Sequence, residues 1–198
     1  MVRLGCLLMI GLLFLGGKGC YEALKNRSPH EMTCAEANTT APTAQWLHLK
    51  DCSINVLGAS YKTRNDKPTD EIYIPLTSPG PNASTTSRVV LKTSDPDIVA
   101  LVKELAAIDK NNQTAFFSFM AKNAKRMILT KDVKGMVQAG IDKNDTVQSK
   151  LAAMNKELAA DFVILEEGSE PSLVKSGLML GGGIVIALLF LGSRGKES

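Results

Sequence analysis

The chain has 198 residues, 44% of them hydrophobic, with 23 lysines and arginines against 20 aspartates and glutamates. This near balance argues against a nucleic-acid-binding protein, which neutralises phosphates with a clustered basic surface. The formal net charge of +3 comes entirely from the two ends, because residues 21–175 contain 19 basic and 19 acidic side chains.

The N-terminal residues form an apolar segment between two positive charges. Leu4–Gly17 is an uncharged run of 14 residues between Arg3 and Lys18. As a helix it would be about 21 Å long, shorter than the roughly 30 Å hydrocarbon core of a bilayer. Residues 1–20 are therefore either a cleaved signal peptide or a signal-anchor that continues to Leu24 while Lys18 reaches the interface. We favour the signal-anchor.

A short helix and an extended segment are predicted next. Thr33 and Glu36 have the spacing of a capping box, so a helix is expected to begin there and to end before Pro42. Residues 46–57 are expected to be extended, with a shift in the alternation of apolar side chains at Asp51.

Two of the four cysteines, Cys34 and Cys52, lie wholly within residues 21–175, and the other two belong to the N-terminal segment. In an oxidising compartment, two cysteines on adjacent elements normally form a disulfide, which is our prediction here. A weaker alternative is a zinc site, because His30 and His48 each precede one of these cysteines by four positions and a His₂Cys₂ set suits tetrahedral zinc.

Two strands and a helix follow. Residues 71–76 and 88–93 are predicted strands on either side of a polar loop, and Pro75 indicates that the first is at the edge of a sheet. Asp95 and Pro96 predict the start of a helix, as its cap and its first residue.

The second half of the domain is predicted to contain two more helices and two strands. One helix contains Phe116, Phe117, Phe119 and Met120, a cluster more typical of a core than of a binding surface. A strand is expected at residues 132–139. The last strand is expected at residues 162–165.

The remaining helix of this half is predicted to begin at Asn144 and to extend to Leu158. The pentapeptide KELAA occurs at residues 103–107 and again at residues 156–160. Both copies are predicted to be helical, and we interpret the repetition as coincidence and not as a duplicated unit. The irregular mixture of elements predicts a single α+β domain, residues 21–175, with a mostly antiparallel sheet and about three helices.

The C-terminal apolar run is longer than the first. Ser176–Ser193 has 18 uncharged residues, about 27 Å as a helix, between Lys175 on one side and Arg194 with Lys196 on the other. We predict a transmembrane helix at residues 176–193 and a tail at residues 194–198. The positive-inside rule places this tail in the cytoplasm, because the greater positive charge lies beyond the helix.

Small residues in this helix have the spacing of a helix-packing motif. Gly177 and Gly181 form a GxxxG pair, and Gly183 with Ala187 continues the pattern. Such residues allow two helix backbones to approach closely, which predicts a homodimer through this segment. The alternative is that glycine is simply common in membrane helices.

The predicted topology follows from both ends. Arg3 places the N-terminus in the cytoplasm as well, so residues 21–175 are expected to be extracytoplasmic, and periplasmic if the chain is bacterial. An excess of N-x-S/T sequons is typical of a glycosylated ectodomain but also of an envelope protein rich in Asn and Thr. The five sequons are at Asn26, Asn38, Asn82, Asn112 and Asn144.

No catalytic motif is visible: the sequence lacks a nucleophile elbow, a zinc-protease signature and a phosphate-binding loop. Glu166, Glu167 and Glu170 are expected to form a solvated linker. We therefore predict no enzyme and no cofactor. The expected function is a membrane-anchored interaction or structural module of an envelope or membrane complex, with partners in the membrane and no nucleic acid. A ligand- or metal-sensing domain is the second hypothesis, and a membrane-bound hydrolase is the third.

Overall fold

The computed structural model of the chain describes residues 2–64, 67–80, 86–109, 111–138, 150–153, 155 and 157–194. These residues belong to two compact units. The first unit, called the helix pair below, comprises residues 1–28 with 170–198. The second unit, called the sheet domain, comprises residues 29–169.

The described elements alternate irregularly along the chain. The helices are α1 (Val2–Lys25), α2 (Cys34–Thr39), α3 (Pro96–Ala106), α4 (Gln113–Met127) and α5 (Leu173–Arg194), with a 3₁₀ turn at Val56–Gly58 and helical residues at 150–153. The strands are β1 (His30–Thr33), β2 (Trp46–Asn55), β3 (Ser60–Arg64), β4 (Lys67–Thr77), β5 (Ser87–Thr93), β6 (Ile128–Val137) and β7 (Leu158–Glu167).

These seven strands form one mixed sheet in the order β1-β2-β6-β7-β5-β4-β3. Neighbours are antiparallel except for the β1–β2 and β5–β7 pairs. Strand β2 also pairs with β4, where Ser53 lies opposite Thr77 and Ile54 opposite Leu76. This extra pairing closes strands β2, β6, β7, β5 and β4 into a ring. The α+β prediction is confirmed.

Alternating side chains of the sheet divide the apolar residues between two clusters. The larger cluster is the main core, to which α2 contributes Ala37 and α3 contributes Leu101 and Val102. On the strands, its fully buried side chains include Leu47, Leu49, Ile54, Ile72, Ile74, Leu76 and Leu91. A smaller cluster contains Tyr73, Val90, Leu151, Phe162 and Ile164. Burial on both faces explains why residues 72–74 of β4 and residues 89–91 of β5 are apolar without alternation.

Local sequence signals for the first elements are confirmed. The Thr33 hydroxyl accepts a hydrogen bond from the Glu36 amide, and the Glu36 carboxylate accepts one from the Thr33 amide at 2.7 Å. Asp95 caps α3, with Pro96 in its first turn. The shift at Asp51 is a register irregularity between Leu49 and Cys52, where Asp51 has a φ of 54°.

The edge position inferred from Pro75 is wrong, since β4 lies between β5 and β3. Pro75 pairs with Val90 on one side. On the other side, pairing with β3 begins only at Tyr73, and pairing with β2 is at Leu76 and Thr77. Proline is tolerated there because no neighbouring carbonyl needs its missing N–H group.

The helix predicted to reach Leu158 is also wrong at its end. Leu158 begins β7, paired with Ser87, and the Ser87 amide donates to the Glu157 carbonyl at 2.8 Å. The second KELAA segment is therefore mostly strand, whereas the first lies in α3 and the turn that ends it. The predicted start at Asn144 lies outside the described residues.

The helix pair packs through glycines. A Cβ atom at Gly16 would overlap the backbone of Leu180, and one at Gly19 would overlap the Ser176 side chain. A Cβ atom at Gly183 would lie 2.9 Å from the Leu13 side chain. Because the contacts advance along α5 as they retreat along α1, the two helices are antiparallel. Gly177 and Gly181 are open, because no described neighbour lies within 4 Å of the point where a Cβ atom would be.

Large apolar side chains of the helix pair point away from its interface. The exposed ones are Leu7, Ile10, Phe14, Leu15, Tyr21, Leu24, Leu173, Val174, Leu178, Ile184, Val185, Leu188 and Leu189. Among the described residues, no helix combines the length and the apolar composition that a membrane crossing requires. The structure therefore does not support the anchors predicted at residues 1–20 and 176–193.

Candidate functional site

The predicted cysteine pair lies at disulfide distance. Cys34 begins α2 and Cys52 follows the β2 irregularity, and their Cα atoms are 5.2 Å apart. Both side chains are buried in the main core. The pair fastens α2 to β2, as the sequence predicts.

A charged cluster surrounds His48 on the exposed side of β2. Its Nδ1 atom is 3.4 Å from Glu31 Oε1, and its Nε2 atom is 3.8 Å from Asp132 Oδ2. Lys50 Nζ donates to the same Glu31 carboxylate at 2.6 Å. The hydrogen bond from Lys50, followed by that from His48, lowers the pKa of Glu31, and the Glu31 carboxylate raises the pKa of Lys50.

The zinc alternative does not match this arrangement. The sulfurs of Cys34 and Cys52 face each other, and His48 faces two carboxylates. His30 instead lines an open hollow of about 530 Å³ beside β1 and α2 that contains neither cysteine. Within the described part of the chain, no three His, Cys, Asp or Glu side chains are grouped to hold a metal ion.

Two lysines each bridge two carboxylates on the sheet. Lys92 Nζ is 3.0 Å from Glu166 and 3.4 Å from Glu71, and Lys131 Nζ is 2.8 Å from Glu167 and 3.6 Å from Asp95. Burial disfavours charge on Lys92, but the hydrogen bond and charge of Glu166 outweigh it and raise its pKa. The expectation that Glu166 and Glu167 are a solvated linker is wrong.

One sequon belongs to the interior of the sheet domain. Asn38 is 6% exposed, and its amide donates to the Leu76 carbonyl at 2.9 Å and accepts from the Arg88 amide at 2.9 Å. A glycan on this nitrogen would not fit the buried site. Asn112 is exposed and caps α4, whereas Asn82 and Asn144 lie outside the described residues.

An apolar groove of about 770 Å³ lies where three segments of the sheet domain meet. The segments are the 3₁₀ turn with the start of β3, the C-terminal half of α3, and the first turns of α4. The lining residues are Val56, Leu57, Ala59, Tyr61, Val102, Leu105, Ala106, Ile108, Asp109, Gln113, Phe116 and Phe117.

The groove corrects the assignment of the aromatic cluster to the core. Phe116 is 37% exposed and Phe117 is 66% exposed, with ring centroids 5.8 Å apart in an edge-to-face arrangement. Phe119 and Met120 do pack against the main core, as predicted. The division follows from helix geometry, since α4 places only one stripe of side chains on the sheet.

The groove has a fixed floor and a braced corner. Val56 and Val102, at 1% and 2% exposure, belong to the main core and form its floor. Asp109 Oδ1 accepts from the Asn111 amide at 2.9 Å, and Asn112 Oδ1 accepts from the Ala115 amide at 3.0 Å. These bonds brace the start of α4 and the residues just before it.

Sequence reasoning identified the aromatic residues but missed the opposite wall. Leu57, Tyr61 and Leu105 are separated from them by 11 to 60 positions, and no local periodicity indicates that they converge. Comparisons of the chain with protein-family models, with curated proteins and with solved structures find no match.

Proposed function

We propose that this chain is a membrane-anchored interaction module. In this proposal the helix pair inserts in the bilayer and the sheet domain works outside the cytoplasm, as part of an envelope or membrane complex. The observation that carries it is the distribution of side chains in the helix pair: small residues face the neighbouring helix and large apolar residues face outward.

That distribution suits lipid and not water. In a bilayer there is no hydrophobic drive to bring helices together, so helices pack where small residues let their backbones approach. Gly16, Gly19 and Gly183 supply such positions. A contiguous surface of exposed leucines, isoleucines and phenylalanines on a water-soluble protein would instead promote aggregation.

The uncharged run of α5 has, in the sequence, the length that a membrane crossing needs. Side chains of α5 are described as far as Leu189, and the uncharged run continues in the sequence to Ser193 before Arg194. Its 18 residues correspond to about 27 Å, close to the hydrocarbon thickness of a thin bilayer.

The antiparallel arrangement of α1 and α5 agrees with the charge rule. It puts the start of α1 and the end of α5 at the same end of the helix pair, and the basic residues Arg3, Arg194 and Lys196 lie next to these two helix ends in the sequence. The packing of Gly16 and Gly19 against α5 also favours a retained signal-anchor over a cleaved signal peptide. The cysteine pair favours an oxidising compartment for residues 29–169.

A topology experiment tests the anchoring. In a background without Cys6 and Cys20, a single cysteine replaces exposed Thr114 or C-terminal Ser198 of the full chain. We expect a membrane-impermeant maleimide to label Thr114→Cys in intact cells and Ser198→Cys only after permeabilisation. Alkaline carbonate should leave both variants in the membrane fraction. Release of the chain by carbonate, or equal labelling of the two variants, would contradict the proposal.

For the partner, the open glycines favour a second copy of the chain. Gly177 and Gly181 have free space in front of them among the described residues, unlike Gly183, which packs on α1. Close approach of a second α5 at this face would form a homodimer in the bilayer. In a membrane two-hybrid assay of the C-terminal segment, Gly181→Ile should abolish self-association and the matched Leu178→Ile should not. Unchanged association of Gly181→Ile would remove the homodimer from the proposal.

A further inference from the structure

We infer that the apolar groove binds an elongated apolar molecule with a cationic end, such as an alkyl ammonium compound. This inference does not rest on the membrane anchor. It rests on the exposure, size, charge and bracing of the groove within the sheet domain.

Exposure sets the groove apart from the rest of the sheet domain. The described large apolar side chains that are exposed there are Leu57, Phe116, Phe117 and Ile128, and three of these four line the groove. Concentrated exposed apolar surface is typical of a binding site, whereas single exposed residues such as Ile128 need no explanation.

Size favours a small molecule. The volume of about 770 Å³ lies within the roughly 300–1,000 Å³ range of small-molecule sites. The floor formed by Val56 and Val102 is part of the packed core, so a ligand would contact apolar surface on its underside as well as on the walls. A braced corner at Asp109 means that little ordering is needed on binding.

The charge of the lining residues indicates which charged group the ligand carries. Asp109 is the one charged residue among the described lining residues, and Gln113 and Tyr61 are the other polar ones. One Asp109 oxygen holds the Asn111 amide, and a carboxylate retains acceptor capacity beyond one hydrogen bond. Lys103, on α3, is 2.6 Å from Asp70 and does not line the groove. The described lining therefore offers an anion no cationic partner.

The aromatic wall agrees with a cation. Phe116 and Phe117 present an edge-to-face pair whose outer ring surface is exposed. The negative face of an aromatic ring attracts an ammonium group, and alkyl groups on that nitrogen add apolar contact. Asp109 and the two rings line the same groove, so both could contact one bound cation.

The test uses the purified full chain and three photoreactive probes of equal length. Each probe is a twelve-carbon chain with a diazirine, ending in an ammonium, a methyl or a carboxylate group. Trypsin places the lining residues from Leu105 to Phe117 in peptides 104–110 and 111–122, called the groove peptides, and peptide 127–131 carries the exposed Ile128 as an internal control. Label is quantified by mass spectrometry.

We expect the ammonium probe to label both groove peptides saturably and at least tenfold more than peptide 127–131. Unlabelled dodecylamine should displace it, and the carboxylate probe should label the groove peptides weakly. Asp109→Asn keeps the acceptor for Asn111, so it should reduce labelling by the ammonium probe several-fold and leave the methyl probe unchanged.

Variants on opposite walls separate loss of the groove from loss of the fold. Phe117→Ser and Leu57→Ser should each reduce labelling by both the ammonium and the methyl probe, and Ile128→Ser should not. Trp46 fluorescence verifies folding of each. The inference is overturned if the carboxylate probe labels the groove as strongly as the ammonium probe, if labelling does not saturate, or if a second polypeptide crosslinks to these peptides in native membranes and blocks the probe.

Discussion

The helix pair and the sheet domain arrange the same kinds of residues in opposite ways. In the helix pair, glycines lie at the interface and leucines point outward. In the sheet domain, Leu47, Leu49 and Ile54 are fully buried, and charged residues such as Lys50 and Glu31 lie outside. Under the proposed anchoring, the helix pair lies in lipid, and the apolar side chains of each unit then lie in its least polar surroundings. Changes at matched positions of the two units test this comparison.

The largest effect is expected from truncating a core leucine. Leu49→Ala leaves a cavity at a fully buried position of β2 and should destabilise the sheet domain by about 2–5 kcal/mol. The single tryptophan, Trp46, lies on the same strand and reports the urea unfolding transition. Leu188→Ala, at a position 63% exposed on α5, should leave this transition unchanged. Equal shifts of the urea midpoint in the two variants would contradict the difference between the sheet domain and the helix pair.

Removing the cysteine pair should have the next largest effect. Residues 34 and 52 close a loop with a sequence separation of 18, which corresponds to about 3 kcal/mol of stabilisation. The double variant Cys34→Ala with Cys52→Ala should lower the urea midpoint accordingly. Cys20→Ala, at a free cysteine of α1, serves as the control. A midpoint that the double variant shares with the parent chain would show that the pair is not bridged in the mature protein.

Filling a closed glycine should separate the helix pair. Gly16→Ile would drive a side chain into the Leu180 backbone, an overpacking cost of about 1–3 kcal/mol. The readout is the distance between spin labels at two exposed positions of the pair, Leu15→Cys on α1 and Leu178→Cys on α5, in a background without Cys6 and Cys20. This distance should increase and broaden with Gly16→Ile and stay the same with Gly181→Ile, because Gly181 is open toward the described part of the chain. A distance insensitive to Gly16→Ile would contradict the packing.

The smallest effect is expected from the surface cluster at Glu31. Lys50 and His48 lower the pKa of this carboxyl group below its ordinary 4.5. The stabilisation is therefore complete above pH 4.5 and is lost as the pH falls through the lower folded value. Glu31→Gln should flatten this part of the pH profile of unfolding, and so should Lys50→Met. An unchanged acid slope in both variants would mean that the cluster contributes nothing, as for many exposed ion pairs.

Elements held together by local bonds were predictable from the sequence. The capping box of Thr33 with Glu36 and the cap at Asp95 need only residues that are neighbours along the chain. The two KELAA copies show the limit of prediction from local sequence. The first copy follows a capped helix start, whereas Leu158 of the second pairs with Ser87, some 70 positions away. Distant pairing overrides helix propensity there, because propensities amount to less than about 1 kcal/mol per residue.

Prediction of the groove failed for a related reason. The periodicity of α4 shows that it has an apolar face, but it does not show that Phe116 and Phe117 lie beside that face and not within it. Their exposure depends on how far α3 extends and where the 3₁₀ turn places Leu57. The cysteine pair was predictable because few cysteines were available to choose from.

The ring of strands is closed by one short seam, the pairing of β2 with β4. Strand β2 pairs with β6 over most of its length but meets β4 only at Ser53 with Thr77 and Ile54 with Leu76. The amides next to this seam should exchange with deuterium sooner than those between β2 and β6, because local opening begins where few backbone bonds must break. Val56, two residues after Ile54, is part of the floor of the groove. A ligand bound there would stabilise the pairing of β2 with β4. Slower deuterium exchange of the neighbouring amides would indicate that the ligand has bound.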